Sequence, residues 1–371
     1  MKKPEAKKMK KILRNNLIIL GVLMFIGGGI AAAFSFAALG WDVFALDTRV
    51  YTAQTLTATD LGITDPAAPV KIDADIGNWT IRIQNGDAFR LDYYTTEGVE
   101  VVCGYDAASG KVSVTAKEDW VKFAFNLDWF NGIGRLRRAY VFTVPAGTDL
   151  TLENDNSPIE ASDAVFGSLK IESGDGSVKL NNVKAGEVNI RGKNGGLKLD
   201  GCEFGSLDVQ TGNGSVKTDG TSVAGGAVLR LHNGSLKLNG CEFGSLQFHG
   251  NNASLLAENV TSPGTFHFNA DNGSVKLYSC AFSSVVGNVS DASVITENLD
   301  VGTFKINCSD GSLKIGIRAD KADFKSIEAR GSDAVFKFGG ERYRSGYKYS
   351  GGGDKVFEAE ARDTSVELKL S

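Results

Sequence analysis

The amino-acid sequence predicts an all-β protein: a single-stranded parallel β-helix, or β-solenoid, with rungs of 19–20 residues, preceded by one N-terminal transmembrane helix. Three observations lead to this fold class. A short phrase recurs at nearly constant spacing, apolar and polar residues alternate within each copy, and Asp-Gly or Asn-Gly separates the alternating segments. A fixed period of this length is typical of proteins in which each repeat stacks on the one before.

The recurring phrase is concentrated in residues 173–315, and a turn-forming pair precedes a strand-like segment in each copy. Counted from the residue after the turn, successive copies from Ser157 to Ser312 are 19 or 20 residues apart. Its clearest copies are SGDGSVKL at 173–180, KNGGLKL at 193–199, GNGSVKT at 212–218, HNGSLKL at 232–238, DNGSVKL at 271–277 and SDGSLKI at 309–315.

Each copy holds two segments with the two-residue period of a β-strand. Asn-Gly between two strands is a common hairpin signal, because both residues adopt positive φ easily. A step that stays constant without drift favours a coil instead, in which neighbouring rungs pair in parallel. The apolar positions then stack into inner columns, one of which is Leu180, Leu199, Leu238, Leu277 and Ile315.

The charge distribution separates the N-terminus from the rest. The formal net charge is −4 over 371 residues. Residues 1–16 carry seven Lys/Arg and one Glu, which is +6, so the remainder carries −4 − 6 = −10. An acidic remainder argues against sequence-independent binding of nucleic acid, which needs a basic face.

Residues 17–41 contain no charge and are long enough to span a bilayer as a helix. The basic head, 1–16, places the N-terminus in the cytoplasm and the rest of the chain outside it. The alternative is a cleaved signal peptide, with small residues near 31–33 and 35–37 at the cleavage site and a secreted product. The apolar run exceeds the usual signal-peptide core, which favours an uncleaved anchor in the cell membrane.

The remaining chain divides by pattern. Residues 42–69 are expected to form a linker, and residues 70–371 a single solenoid domain. Within that domain, 70–150 form a cap region with alternating strands but no strict period, 151–338 the regular rungs, and 339–371 a loop and a final rung.

An aromatic and basic stretch interrupts the cap region. It has two interpretations: a contact site for a membrane or a partner protein, or a hydrophobic lid over the end of the solenoid core. Its residues are Trp120, Phe123, Phe125, Trp129, Phe130, Arg135, Arg137 and Arg138.

This arrangement resembles the bacterial DUF4097 family, whose members are regarded as candidate adhesins. The features that carry the resemblance are the basic head with one apolar span, VKIDADIGNWTIRI at 70–83, YVFTVPAGTDL at 140–150 and the serial Asn-Gly-Ser rungs. The resemblance implies a cell-surface β-solenoid without established catalytic residues, and some members accompany envelope stress systems. Many rungs of the family read Ser-Gly-Asp-Ile, whereas Asn-Gly-Ser-Val-Lys dominates here.

A row of lysines is the sharpest functional feature of the repeats. The period predicts that they stack on one outer face as a ladder that could bind an anionic wall polymer or lipid; the alternative is a solvated face whose charge nearby acids offset. The residues are Lys179, Lys198, Lys217, Lys237, Lys276 and Lys314.

Two further repeated residues have structural interpretations. Cys202, Cys241 and Cys280 are 39 residues apart, or two rungs. Cα atoms two rungs apart are separated by about 9–10 Å, which exceeds the ~7 Å limit for a disulfide. We therefore expect these cysteines to be small buried hydrophobic residues and not disulfide partners. The Asp and Asn of the turns, from Asp175 to Asp310, are expected to form a ladder of side-chain amides rather than a calcium site.

No catalytic constellation emerges, because the three histidines, His232, His249 and His267, occupy different repeat phases. We therefore expect a non-enzyme with no cofactor and no metal, acting as an adhesin or binding scaffold at the bacterial envelope. Its expected partners are the membrane, an anionic wall polymer or lipid, or an envelope protein, but not nucleic acid. The alternatives are an accessory sensor of envelope stress and, third, a polysaccharide-active enzyme, since parallel β-helices also carry lyases.

Overall fold

The computed structural model describes residues 50–65, 70–118, 138–344 and 346–371, together with Phe25, Gly28, Gly29 and Ala37. Among these residues, no helix combines the length and apolarity that crossing a membrane requires. The basic head, nearly all of the proposed span 17–41, and residues 119–137 of the aromatic and basic stretch lie outside the described residues. Residues 52–95, 99–118 and 139–371 form one compact unit.

This unit is almost entirely β-structure. The chain before the repeats contains β1 to β7 and one short helix, α1 (Ala58–Leu61), whose N-terminus carries a capping box between Thr57 and Asp60. The strands are β1 Thr52–Thr57, β2 Val70–Asp75, β3 Thr80–Gly86, β4 Arg90–Thr95, β5 Val99–Asp106, β6 Lys111–Glu118 and β7 Ala139–Pro145. Part of the segment predicted as a linker is therefore a strand, since β1 pairs antiparallel with β4.

The repeats form β8 to β22. A longer and a shorter strand alternate from β8 to β15, whereas β16, β17 and β21 are continuous strands of 17–18 residues that run through a corner. The bounds are β8 Leu150–Asn154, β9 Ile159–Ser162, β10 Val165–Ser173, β11 Val178–Asn181, β12 Lys184–Gly192, β13 Leu197–Asp200, β14 Glu203–Thr211, β15 Val216–Asp219, β16 Ser222–Asn239, β17 Glu242–Glu258, β18 Thr261–Asp271, β19 Ser274–Tyr278, β20 Ala281–Ser290, β21 Ser293–Ser309 and β22 Ser312–Ile317. The C-terminal part contains a 3-10 helix, Lys321–Asp323, and β23 Phe324–Ser332, β24 Val335–Phe338, β25 Glu341–Tyr343, β26 Tyr347–Ser350, β27 Lys355–Arg362 and β28 Ser365–Leu370.

The strand register confirms the parallel solenoid. Val178 pairs with Leu197, which pairs with Val216, so each rung lies directly on the preceding one. The long strands do the same, as Ile171 pairs with Ile190 and Ile190 with Val209. The predicted inner column is buried, and in the rungs between its members the same position is occupied by Thr218, Ala257 and Thr296.

Each rung turns at two corners. The first corner joins the long strand to the short strand and contains the Asn-Gly or Asp-Gly pair. The second follows the short strand, and there the backbone is left-handed, with φ between +49° and +59°. The residues at that position are Asp163, Asn182, Gly201, Gly220, Gly240, Asn259, Ser279 and Asn298. Seven of these eight residues are Asn, Asp or Gly, which adopt this backbone most readily, and Ser279 is the exception.

The glycine of the first corner has a different role from the one expected. Gly176, Gly195 and Gly214 are not at positive φ. A Cβ on Gly195 would lie 1.9 Å from the carbonyl oxygen of Gly176, and one on Gly214 would lie 2.1 Å from that of Gly195. Glycine is needed here because each corner stacks on the backbone of the corner before it.

At both ends of the solenoid, one rung lies between two rungs that are neighbours in sequence. At the start, β2 pairs with both β6 and β8, and β3 pairs with both β7 and β9. At the other end, β27 lies between β21 and β23, and β28 between β22 and β24. The last rung of the sequence is therefore not the last rung of the stack.

Antiparallel strands cover the outer rungs at each end. β5 pairs with β6 and β4 with β7 at one end, and β26 pairs with β23 and β25 with β24 at the other. The second cap carries an aromatic cluster in which Tyr347 lies 5.0 Å from Phe338 and 4.9 Å from Tyr343, measured between ring centroids. Such caps protect the terminal edges of the parallel stack from pairing with other chains.

Candidate functional site

The lysine ladder exists as a geometric feature of the short strands. Lys179 pairs with Lys198, Lys198 with Lys217 and Lys217 with Lys237, so four lysines follow one another on consecutive rungs. The column then continues through Leu256, Lys276, Ile295 and Lys314. The last two lysines are therefore separated from the first four and from each other by an aliphatic side chain.

Acidic side chains neutralise part of this ladder. The Nζ atom of Lys198 lies 3.0 Å from Asp200, that of Lys217 2.8 Å from Asp219, and that of Lys237 3.3 Å from Glu258. Asp200 and Asp219 follow their lysines by two residues, so strand alternation puts acid and base on one face. The hydrogen bond to Lys217 is the main cause that lowers the pKa of Asp219.

Three members of the ladder make no direct ion pair within the described part of the chain. Lys179, Lys276 and Lys314 make no ion pair with any residue that the structure describes. The face is therefore a mixed surface of paired and single lysines, not a uniform cationic strip.

The aromatic and basic stretch lies outside the described residues except for its last member. The guanidinium carbon of Arg138 lies 3.9 Å from the centre of the Tyr51 ring, which is a cation–π contact. The contact-site and lid interpretations of Trp120, Phe123, Phe125, Trp129, Phe130, Arg135 and Arg137 stay predictions.

The amide ladder at the first corner is present and continuous over five rungs. Asn194 donates to Asp175 at 2.5 Å, Asn213 to Asn194 at 2.7 Å, Asn233 to Asn213 at 2.8 Å, and Asn252 to Asn233 at 3.0 Å. The side chains thus bond to each other from rung to rung. In the described part of the chain, no group of three or more His, Cys, Asp or Glu side chains has a metal-binding arrangement.

The cysteines are free thiols inside the fold. Cys202, Cys241 and Cys280 are buried and occupy one corner column, where each Sγ lies 3.3–3.5 Å from the carbonyl oxygen two residues earlier. Burial is the main cause that raises the thiol pKa of all three. Burial also raises the pKa of Cys103 to about 11. A raised pKa leaves these thiols protonated and weakly nucleophilic at neutral pH.

Two of the three histidines take part in the side-chain ladders. His232 bonds Asn251 at 3.0 Å and His249 bonds Asn269 at 3.1 Å, in both cases through Nδ1. The amide ladder of Asn269 continues to Asn288 and Asn307 at 3.0 Å for each bond. These imidazoles are thus bonded to amides of the next rung.

A groove runs along the first corner, and it was not among the predictions from the sequence. It has a volume of about 860 Å³ and runs across six consecutive rungs, from Asp73 to His232. Its wall contains Gly174, Gly192 and Gly212, which leave gaps between the charged side chains. The signal in the sequence that could have predicted this groove is the recurrence of glycine in the corners. Stacked corners that lack side chains leave a channel along the solenoid.

Two more grooves lie along the solenoid. One, about 690 Å³, continues the first corner beside Asn269, Asn288 and Asn307. The other, about 750 Å³, follows the second corner. Two of its lining residues, Lys184 and Glu203, form an ion pair with 2.9 Å between Nζ and Oε2.

The sequence model of the Toastrack family, DUF4097, matches residues 70–369. The chain belongs to this family. The match confirms the resemblance inferred from the rungs and covers the whole stack from β2 to β28. No curated protein matches this Toastrack chain significantly.

Two solved structures to which the chain is similar are distant from it in sequence. The chain is similar to a candidate adhesin from Parabacteroides distasonis at 10% identity and a TM-score of 0.44, covering 72% of this chain and 98% of that one. It is also similar to a candidate cell adhesion protein from Clostridium sporogenes at 11% identity and a TM-score of 0.21, covering 87% of this chain and all of that one.

Proposed function

We propose that this Toastrack protein is a non-catalytic binding scaffold on the outside of the bacterial cell, held by a membrane helix at 17–41 with its N-terminus in the cytoplasm. The observation that carries the proposal is the parallel register, which repeats one side chain per rung at a spacing of about 4.8 Å. A regular row of identical groups suits a ligand that is itself periodic. A catalytic site needs different groups that converge on one point.

The interactions of the polar side chains support a non-enzymatic role. His232 and His249 are engaged with ladder amides, and Glu203 is paired with Lys184. A general acid or base has to be free to exchange a proton with a substrate. The polysaccharide-active enzyme therefore remains the third choice.

The ligand proposed for the short-strand face is an anionic polymer of the cell envelope. Lys179, Lys276 and Lys314 offer single charges, and the paired Lys198, Lys217 and Lys237 could exchange their carboxylate partners for phosphate or carboxylate groups of the polymer. Because exposed ion pairs contribute at most about 1 kcal/mol each, such an exchange costs little free energy. Binding of this kind weakens steeply with salt.

Substitution of Lys179, Lys198, Lys217 and Lys237 by Gln tests the ladder. Binding of the full-length protein to purified cell wall should fall about fivefold or more at low salt, since four charges are lost from one row. The matched control replaces Lys184, Lys305, Lys325 and Lys348 by Gln, which changes the net charge equally at other places. Equal binding by both variants would rule out the ladder as the site.

The membrane topology is tested by a reporter fused after Ser371 that is active only outside the cytoplasm, together with carbonate extraction of membranes. An active reporter and a protein that stays in the membrane fraction are expected. A mature N-terminus near 34 or 38, with the protein in the medium, would show instead that the segment is cleaved.

A further inference from the structure

The first-corner groove carries charges of opposite sign at two places along its length. Asp75 and Asp155 lie in neighbouring rungs, because β2 and β8 pair Ala74 with Asn154. Arg191 and Lys193 lie further along the stack, on a single rung. All four side chains are exposed and line the groove or its rim.

None of these four charged groups is directly paired in the described fold, and only Arg191 acts on a neighbour, since its charge helps to lower the pKa of Glu172. No hydrogen bond or ion pair joins the carboxylate of Asp75 or Asp155, or the cationic group of Arg191 or Lys193, to any described residue. Their charged neighbours are engaged elsewhere in the described part of the chain: Lys111 pairs with Asp73, Lys71 with Glu153 and Lys170 with Glu172.

Glycine separates the two charged ends. Gly174 occupies the corner position between Asp155 and Lys193, as the backbone bonds from Lys193 to Gly174 and from Gly174 to Asn154 show. A Cβ at Gly174 would lie 2.6 Å from the carbonyl oxygen of Asp155, so the close stacking of the corners excludes any side chain there. Between the ends, the middle rung contributes the backbone of Gly174 and, beside it, the side chain of Glu172, which is paired with Lys170. The two ends are two rungs or roughly 10 Å apart.

The geometry points to a binding site for a short extended peptide with free termini, whose ammonium group meets Asp75 and Asp155 and whose carboxylate meets Arg191 and Lys193. An extended chain advances about 3.3–3.6 Å per residue, so three or four residues match the separation. A fork of two cations suits a carboxylate, and two adjacent carboxylates suit an ammonium group with three donors. The site lies on a different face from the lysine ladder and does not depend on the function proposed for it.

Calorimetric titration of the full-length protein with tetra-alanine at low salt tests the site. The free-termini peptide should bind about fivefold or more tightly than its N-acetylated or its C-amidated form, because each cap removes one charge contact in a screened but partly enclosed groove. Dialanine should bind more weakly than tetra-alanine, and hexa-alanine no more tightly.

Variants assign each terminus to its end of the groove. Asp75→Asn combined with Asp155→Asn should remove the penalty for N-acetylation and keep the penalty for C-amidation. Arg191→Gln combined with Lys193→Gln should do the reverse. Lys325→Gln, on β23 outside the groove, is the control and should leave every affinity unchanged. Equal affinities of the three peptides, no binding at about 5 mM peptide, or variants that keep both penalties would each overturn the proposal.

Discussion

The early and the late rungs of the solenoid use the same Asn-Gly phrase to build different corners. In the early rungs, from Asp175 to Asn252, the Asp and Asn side chains bond to each other from rung to rung and the residues are outside the left-handed region. In the late rungs the equivalent residues, such as Asn272 and Asp291, have φ of +50° and +49°. A dipeptide therefore does not determine the shape of its corner.

A buried hydrogen-bond donor supports the early form of the corner in two of the five early rungs. The donor stands three positions before the corner glycine: the hydroxyl of Ser173 donates to the carbonyl of Gly176 at 3.0 Å, and that of Thr211 to the carbonyl of Gly214 at 3.5 Å. The other three early rungs have Gly192, Leu231 and Gly250 at this position. In late rungs the position is apolar, as at Val289, and the corner carbonyl bonds outward to the next rung, as Ala292 does with Ser312 at 3.3 Å. An inward-facing corner carbonyl is stabilised where a buried donor meets it.

The largest effect is expected from a side chain added in an early corner. Gly195→Ala should lower the free energy of unfolding by about 3 kcal/mol, because its Cβ would meet backbone atoms that cannot move aside. Gly192→Ala, three residues earlier, is the matched control: no atom lies within 4 Å of its Cβ, and the change should stay within about 0.5 kcal/mol. Urea denaturation followed by circular dichroism measures both. Equal losses would contradict the stacking argument.

Removal of the inward donor should have the next largest effect. Ser173→Ala leaves the buried carbonyl of Gly176 without its partner and should cost about 1–2 kcal/mol in the same assay. Ser168→Ala is the control, because its exposed hydroxyl bonds Asp149 at 2.8 Å and water can replace that bond. A cost at Ser173 no greater than at Ser168 would show that the buried donor does not stabilise the early corner.

Asparagine bonds to the neighbouring rungs in the early corners and adopts a left-handed backbone in the late ones. Glycine substitutions distinguish these two roles. Asn213→Gly removes two ladder bonds, of 2.7 and 2.8 Å, and should cost about 1 kcal/mol. Asn272→Gly should change stability by less than about 0.5 kcal/mol, because glycine adopts the left-handed backbone without strain. The reverse order of the two costs would mean that both corners depend on backbone conformation alone.

The smallest effect concerns the outer face, where the early lysines Lys198, Lys217 and Lys237 are paired and the late Lys276 is not. The pKa of Asp219 is lowered first by Lys217 and then by Asn239, so its contribution to stability is present at neutral pH and is lost as the pH falls through that lowered value. Lys217→Gln should raise the Asp219 pKa in an NMR titration, whereas Lys276→Gln should not. For exposed pairs the change in stability stays below about 1 kcal/mol.

Much of the site could be read from the sequence because a strict period converts spacing into position. The stacking of Lys179 on Lys198 and the amide ladder from Asp175 follow from the 19–20-residue step alone. The pairing of Lys217 with Asp219 was also readable, since residues two apart on a strand share a face. The groove was not predicted from the sequence. The recurring corner glycines define it only by leaving space, and they do not form a side-chain motif.

The sequence by itself determined the period, the inner columns and the outer faces of this protein, since local alternation and a constant step are sufficient to assign them. Only the tertiary structure decided the order of the end rungs and the form of each first corner. β2 and β27 lie between strands that are neighbours in sequence. Parallel edges can pair with any rung whose register fits. Which edges meet depends on long-range contacts, and no single segment encodes them.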